Sequence, residues 1–133
     1  MNRYILAMFL TSATAALAGP YDQVYGLITT DKSRSADPDV IPVIVNRVDD
    51  VTVMTGQPAV VAPGLRKVTI DVPPRKGFHQ ATQTTFDLEV KPCVRYNLSA
   101  KLESRTTQNW QPMVRSTEPI GECAKKFKIA EAK

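Results

Sequence analysis

The 133-residue chain has one histidine, one tryptophan, two cysteines and six glycines. Each scarcity removes a class of function. A single histidine, His79, has no second imidazole to share a metal, and a general base needs a partner that the fold would have to bring near. Two cysteines far apart form neither a C-x-x-C redox pair nor a zinc knuckle. The chain contains no G-x-S-x-G, no phosphate-cradling glycine loop and no paired-histidine motif. Nothing here points to an enzyme, and the sequence implies no cofactor and no metal. Charge of one sign is also lacking: seventeen basic residues face thirteen acidic ones, mostly interleaved. A nucleic-acid binder would gather its cations on one face. Helical apolar periodicity is absent until the last dozen residues, and no apolar run reaches the ~20 residues of a membrane-spanning helix.

What the sequence does have begins at its start. MNRYILAMFLTSATAALA reads as a signal peptide: Arg3 supplies the positive start, Ile5 to Leu10 and the alanines behind them supply the apolar stretch, and Ala16-Leu17-Ala18 supplies a small-x-small cleavage site. Cleavage is expected between Ala18 and Gly19. Leu17-Ala18-Gly19 would be a lipoprotein site if cysteine followed, but Pro20 follows, so the mature chain is expected to be soluble and untethered. Residues 19–133 then form one domain in the periplasm or outside the cell, with a net charge of +3 once Arg3 is removed.

An oxidising compartment gives Cys93 and Cys123 a meaning. They are expected to join, closing a loop worth about 3 to 4 kcal/mol in the chain-entropy model. Two free thiols or an intermolecular bridge are the alternatives.

The rest alternates short β-rich runs with turn-formers, predicting an all-β fold, an antiparallel sandwich of six to eight strands, with a small barrel as the alternative. Strands are expected at 24–30, 41–48, 51–54, 59–62, 66–72, 85–91, 94–103 and 110–116. Asp49-Asp50 is expected to turn a hairpin, and Pro63-Gly64 a type II corner. Val68, Ile70 and Val72 share one face, as do Phe86, Leu88 and Val90, and as do Val94, Tyr96, Leu98, Ala100 and Leu102. The strands on either side of Cys93 are expected to pair, bringing Phe86 against Tyr96. Ala124 to Ala132 can form a short helix within a basic tail of Lys125, Lys126, Lys128 and Lys133. A frayed tail and a weak contact with an acidic envelope surface are the two readings of that cluster.

Candidate site residues are few. His79 reads as a loop residue, with a ligand or surface-binding role as its functional alternative. Trp110 reads as core or rim, with exposed binding as the other option. Asp37, Asp39, Asp49 and Asp50 read as turn-capping carboxylates, and their spacing matches no calcium loop. Asn97-Leu98-Ser99 fits the N-glycosylation pattern without adding weight.

Two segments carry a likeness to known proteins. VVAPGLRKVTIDV, residues 60–72, and TFDLEVKPCVRYNLSAKLES, residues 85–104, resemble small bacterial envelope β-domains of the PEGA and carboxypeptidase-regulatory-like type. Pro63-Gly64, Val68, Ile70 and Tyr96 occupy comparable places. Val48-Asp49-Asp50 stands where those domains have a V-D-G turn, and the cysteine pair and Trp110-Gln111-Pro112 lie outside their pattern. The departures point to a narrower group of small exported bacterial β-sandwich proteins. The resemblance implies a sandwich without catalytic residues and transfers no site. The expected function is a non-enzymatic structural or interaction module that contacts an envelope protein or polymer, with a periplasmic small-ligand carrier as the alternative.

Overall fold

The computed structural model describes residues 19–33, 35–73, 82–103 and 109–130. Nine strands and one helix follow in order: β1 (Gly26–Thr30), β2 (Val40–Pro42), β3 (Ile44–Val48), β4 (Val51–Thr52), β5 (Ala59–Val61), β6 (Gly64–Val72), β7 (Thr82–Val90), β8 (Val94–Leu102), β9 (Trp110–Pro119) and α1 (Gly121–Phe127). The expected leader helix and His79 lie outside the described residues.

The strands form two sheets. In the first, β9 pairs antiparallel with one edge of β8, while the other edge of β8 is shared. Its first half pairs in parallel with β1, from Leu27 opposite Arg95 to Thr30 opposite Leu98, and its second half pairs antiparallel with β2. β5 pairs with the outer side of β1. The second sheet runs β4-β3-β6-β7, antiparallel throughout.

The fold is a sandwich because alternate residues of both sheets meet in one core. Ile28, Tyr96, Leu98, Ala100, Leu102 and Trp110 come from the first sheet; Val45, Val68, Ile70, Val72, Leu88 and Val90 come from the second. The alternation read from 66–72 and 94–102 therefore holds for the inward residues. It fails for Ser99, only 1% exposed although it sits on the outward parity. There Pro42 and Met113 flank it, and Asp31, Ser33, Ser35 and Arg115 line a hollow with it.

Three expectations about partners are corrected. Ile41 to Val48 is not one strand: the chain changes sheets at Val43, after Pro42 has removed a ladder donor, and Thr30 Oγ1 donates to the Val43 carbonyl at 2.7 Å. The strands flanking Cys93 are not a hairpin either. β7 and β8 lie in different sheets, so Phe86 faces Val68 while Tyr96 faces Ile28 and Thr117. Period two states which face is buried and is silent on the neighbour. The β1–β8 pair is parallel, where antiparallel strands alone were expected.

The turns are built as their residues require. Asp49 and Asp50 both have positive φ, 49° and 64°, the signature of a type I′ hairpin turn between β3 and β4. Gly64 has φ of 124°, but it opens β6 by carrying the chain from the first sheet to the second. Gly26 is required by a close approach: a Cβ there would overlap Val90 Cγ1 and press on the Val94 carbonyl.

Candidate binding groove

At one side of the sandwich, β4 ends the second sheet and β5 ends the first, and a groove of about 440 Å³ opens between them. Val51, Met54, Ala59 and Val61 contribute apolar wall, and the side chains of Val51 and Met54 are 68% and 77% exposed. The type I′ turn sends β4 back along β3, and Val53 N–H donates to the Asn46 carbonyl at 2.8 Å. Gly56, with φ of 81°, and Pro58 then carry the chain across to β5. Each of these short strands has a ladder partner on one side, β3 for β4 and β1 for β5. Among the described residues both are edge strands, and both line the groove; an edge strand can template an added strand.

Two charged residues line the groove, Asp49 and Arg66, and they neutralise each other. Arg66 Nη1 lies 3.0 Å from Asp49 Oδ2, and the same guanidinium donates to the Ala62 and Pro63 carbonyls, each at 2.9 Å. Asp49 Oδ1 accepts the Lys67 backbone N–H at 2.8 Å. That backbone bond, with the Arg66 bond and charge, holds the Asp49 carboxyl below the ordinary aspartate range. The cation is committed to its own rim, which leaves a mostly apolar groove with Thr52 and Gln57 as uncharged polar lining.

On the outer face of the first sheet lies a second, smaller cluster. Tyr25, Leu27, Cys93, Cys123 and Ala124 are buried there, with Val60, Ile120 and Phe127 packed around them. Cys93 and Cys123 are bonded, with Cα atoms 5.4 Å apart, as expected from the sequence. The bridge ties α1 to the β7–β8 turn, where Cys93 sits at positive φ and its N–H donates to the Tyr25 carbonyl at 2.8 Å. Tyr25 packs edge-on to Tyr21 and to Phe127, and burial, then the nearby Glu122 carboxylate, push its phenol pKa up. The described part of the basic tail is not frayed. Lys128 caps α1 in the left-handed conformation, and Lys126 Nζ donates to the Tyr21 carbonyl at 2.8 Å.

The remaining candidates are spread apart. Trp110 is 8% exposed in the inter-sheet core, so it is a packing residue and no surface anchor. Its place opposite Leu102 at the start of β9 sets the ring on the inward face. Asp37 Oδ1 accepts the Asp39 N–H at 2.9 Å, a turn-capping role. Asn97 Nδ2 donates to Ser116 Oγ at 2.9 Å. Asp31, unremarked in the sequence, forms a 3.0 Å ion pair with Arg115 and accepts Ser33 N–H and Oγ–H. Its partial burial opposes ionisation, but the Ser33 bonds and Arg115 outweigh that, and the carboxyl lies below its ordinary value. Among the described residues no group of three or more His, Cys, Asp or Glu is placed to hold a metal ion. Gly19 is described, whereas Ala18 and His79 are not.

The fold and groove define a disulfide-stapled all-β sandwich with an open apolar edge. Comparison with family models, curated proteins and solved structures returned no match.

The groove was hidden in the sequence because its walls come from two ordinary-looking strands in different sheets. One signal was available: Val51, Val53 and Met54 place apolar residues on both parities of a very short strand, more than one buried face needs.

Proposed function

We propose that this chain is an exported, non-enzymatic interaction module of the bacterial envelope that holds an extended, uncharged apolar segment of a partner protein in the β4–β5 groove. The observation that carries this reading is the groove itself: two edge strands line a mostly apolar channel, and the two charged residues of its lining pair with each other. Main-chain pairing along an edge supplies affinity, and alternate side chains in the apolar wall supply selectivity. The disulfide suits work in an oxidising compartment, and among the described residues no helix is long and apolar enough to cross a membrane.

The test is an amide-shift titration of the labelled mature chain with short peptides of alternating valine and threonine, and with aspartate-rich controls. Shifts at β4 and β5 that vanish in a Val51→Glu/Met54→Glu variant are expected. Both side chains are largely exposed, so this variant keeps its stability within about 0.5 kcal/mol. Absent shifts, or shifts centred elsewhere, reject the reading.

The groove volume also falls within the range of small-molecule sites. Native mass spectrometry of the protein purified from its own host addresses the carrier reading, which predicts a co-purifying small mass displaced by the peptide.

A further inference from the structure

The turn at the start of the described chain is closed from both sides. Pro20 presets its first corner, and Asp22 N–H donates to the Gly19 carbonyl at 3.0 Å. The Asp22 carboxylate bends back so that Oδ2 lies 2.6 Å from the Gly19 backbone nitrogen. Its other oxygen, Oδ1, lies 3.7 Å from Lys126 Nζ on α1. Thus one carboxylate faces the nitrogen of Gly19 with one oxygen and the C-terminal helix with the other. Gly19 is the residue that follows the small-x-small motif Ala16-Leu17-Ala18.

We propose that Asp22 is the receptor for the α-ammonium that cleavage between Ala18 and Gly19 creates, so that leader removal converts a neutral turn contact into an ion pair fastening the new N-terminus to α1. The inference rests on the reading of residues 1–18 as a cleaved leader. Hydrolysis adds the hydroxyl of water to the Ala18 carbonyl carbon and breaks its bond to the Gly19 nitrogen. Ala18 leaves as a carboxylate, and the nitrogen leaves the step as an amine that takes up a proton near neutral pH. Before cleavage this nitrogen carries one hydrogen and no charge; afterwards it carries three hydrogens and a positive charge, with a carboxylate oxygen already at bonding distance. A charge-assisted hydrogen bond is roughly twice as strong as a neutral one.

The surroundings support this assignment. A Cβ on residue 19 would stand 3.3 Å from Asp22 Oδ2, so glycine leaves the carboxylate room. Among the described residues, the charged and titratable groups on the neighbouring elements are Asp22, Tyr21, Tyr25, Arg95 on β8 and, on α1, Glu122 and Lys126. Lys126 takes the oxygen that Gly19 does not use, so the two cations do not compete for one atom. The helix that carries Lys126 is itself fixed by the Cys93–Cys123 bridge. Gly19 and Pro20 also line a hollow with Val60 and Ala62, which border the groove. The anchored terminus is therefore placed beside the proposed binding edge.

The experiment has two arms. Intact-mass and N-terminal sequencing of the protein exported by its own host establish the first residue. The acylation rate of the Gly19 amine at neutral pH is then compared, by peptide mass spectrometry, between the mature chain, its Asp22→Asn variant and the same chain denatured. Only the unprotonated amine reacts, so a docked ammonium is expected to label about threefold more slowly than in the variant or the denatured chain, the size expected of an exposed ion pair. Molar salt narrows the gap. Asp22 is exposed and ends no core contact, and circular dichroism confirms that the variant is folded. As a second readout, a chain that retains Ala18 is expected to show faster hydrogen exchange in α1 than the chain beginning at Gly19. A first residue other than Gly19 removes the leader premise and overturns the proposal for the natural protein. A Gly19 start with equal labelling in wild type and Asp22→Asn overturns the docking alone.

Discussion

The core between the sheets and the cluster beneath α1 are made of similar side chains and held by different means. The inter-sheet core draws alternate residues from long strands such as β6 and β8, so each element is supported by ladder bonds along its whole length. The outer cluster draws on the start of β1, one residue of β5, the β7–β8 turn and a helix of seven residues. A helix that short is not stable by itself in water. Its order comes from the Cys93–Cys123 bridge, the Tyr25–Phe127 edge contact and the Lys126 clamp on residues 21 and 22. The sandwich thus supports itself, while the face covered by α1 depends on a covalent link.

Substitutions in each cluster test how far the two are independent. Leu98→Ala, at a position with no exposure in the inter-sheet core, is expected to lower global stability by about 2 to 5 kcal/mol. Urea unfolding should show a single transition moving to lower midpoint, with strands and helix lost together. A paired Cys93→Ala/Cys123→Ala variant is expected to lose about 2 to 4 kcal/mol. Here hydrogen exchange should separate the regions: α1 amides exchange at low denaturant while β6 and β8 stay protected. Equal loss in both would show that the two clusters are one cooperative unit. Phe127→Ala removes an edge-on ring contact worth about 1 kcal/mol, and faster exchange confined to α1 and residues near Tyr25 is the expected result.

The smallest effect concerns pH. Asp31 and Asp49 titrate below their ordinary range in the folded chain. A carboxyl lowered on folding adds stability that is complete above its unfolded value and is lost as pH falls through the folded value. Acid titration of stability should therefore decline below the ordinary carboxylate range. Asp31→Asn is expected to flatten that decline, as read by unfolding midpoints at several acidic pH values, without altering the separation of the two clusters.

Burial of the long strands was legible because it is local. Val68, Ile70 and Val72, or Val94 through Leu102, announce their inner face by alternation alone. Pairing is not local, and residues near Cys93 show the consequence: two well-patterned strands joined by a tight turn belong to different sheets. Ser99 obeys the polar parity yet is covered, because the segment above it comes from elsewhere in the chain. Tyr25-Gly26-Leu27-Ile28 offered a readable clue in its unbroken apolar run, which marks a strand covered on both faces. The disulfide was legible from an expected oxidising compartment and not from geometry. The groove was not legible, since an edge exists only once both sheets are assembled.

The shared edge of β8 has a consequence in time. Among the described strands β1 is the first to leave the ribosome, but its partners β5 and β8 lie downstream, and the parallel pairing is complete only when Leu98 has emerged. Until then a strand meant to be buried on both faces has no cover, and contacts between such distant positions form slowly. The assembly of the sandwich is therefore governed by the arrival of β8.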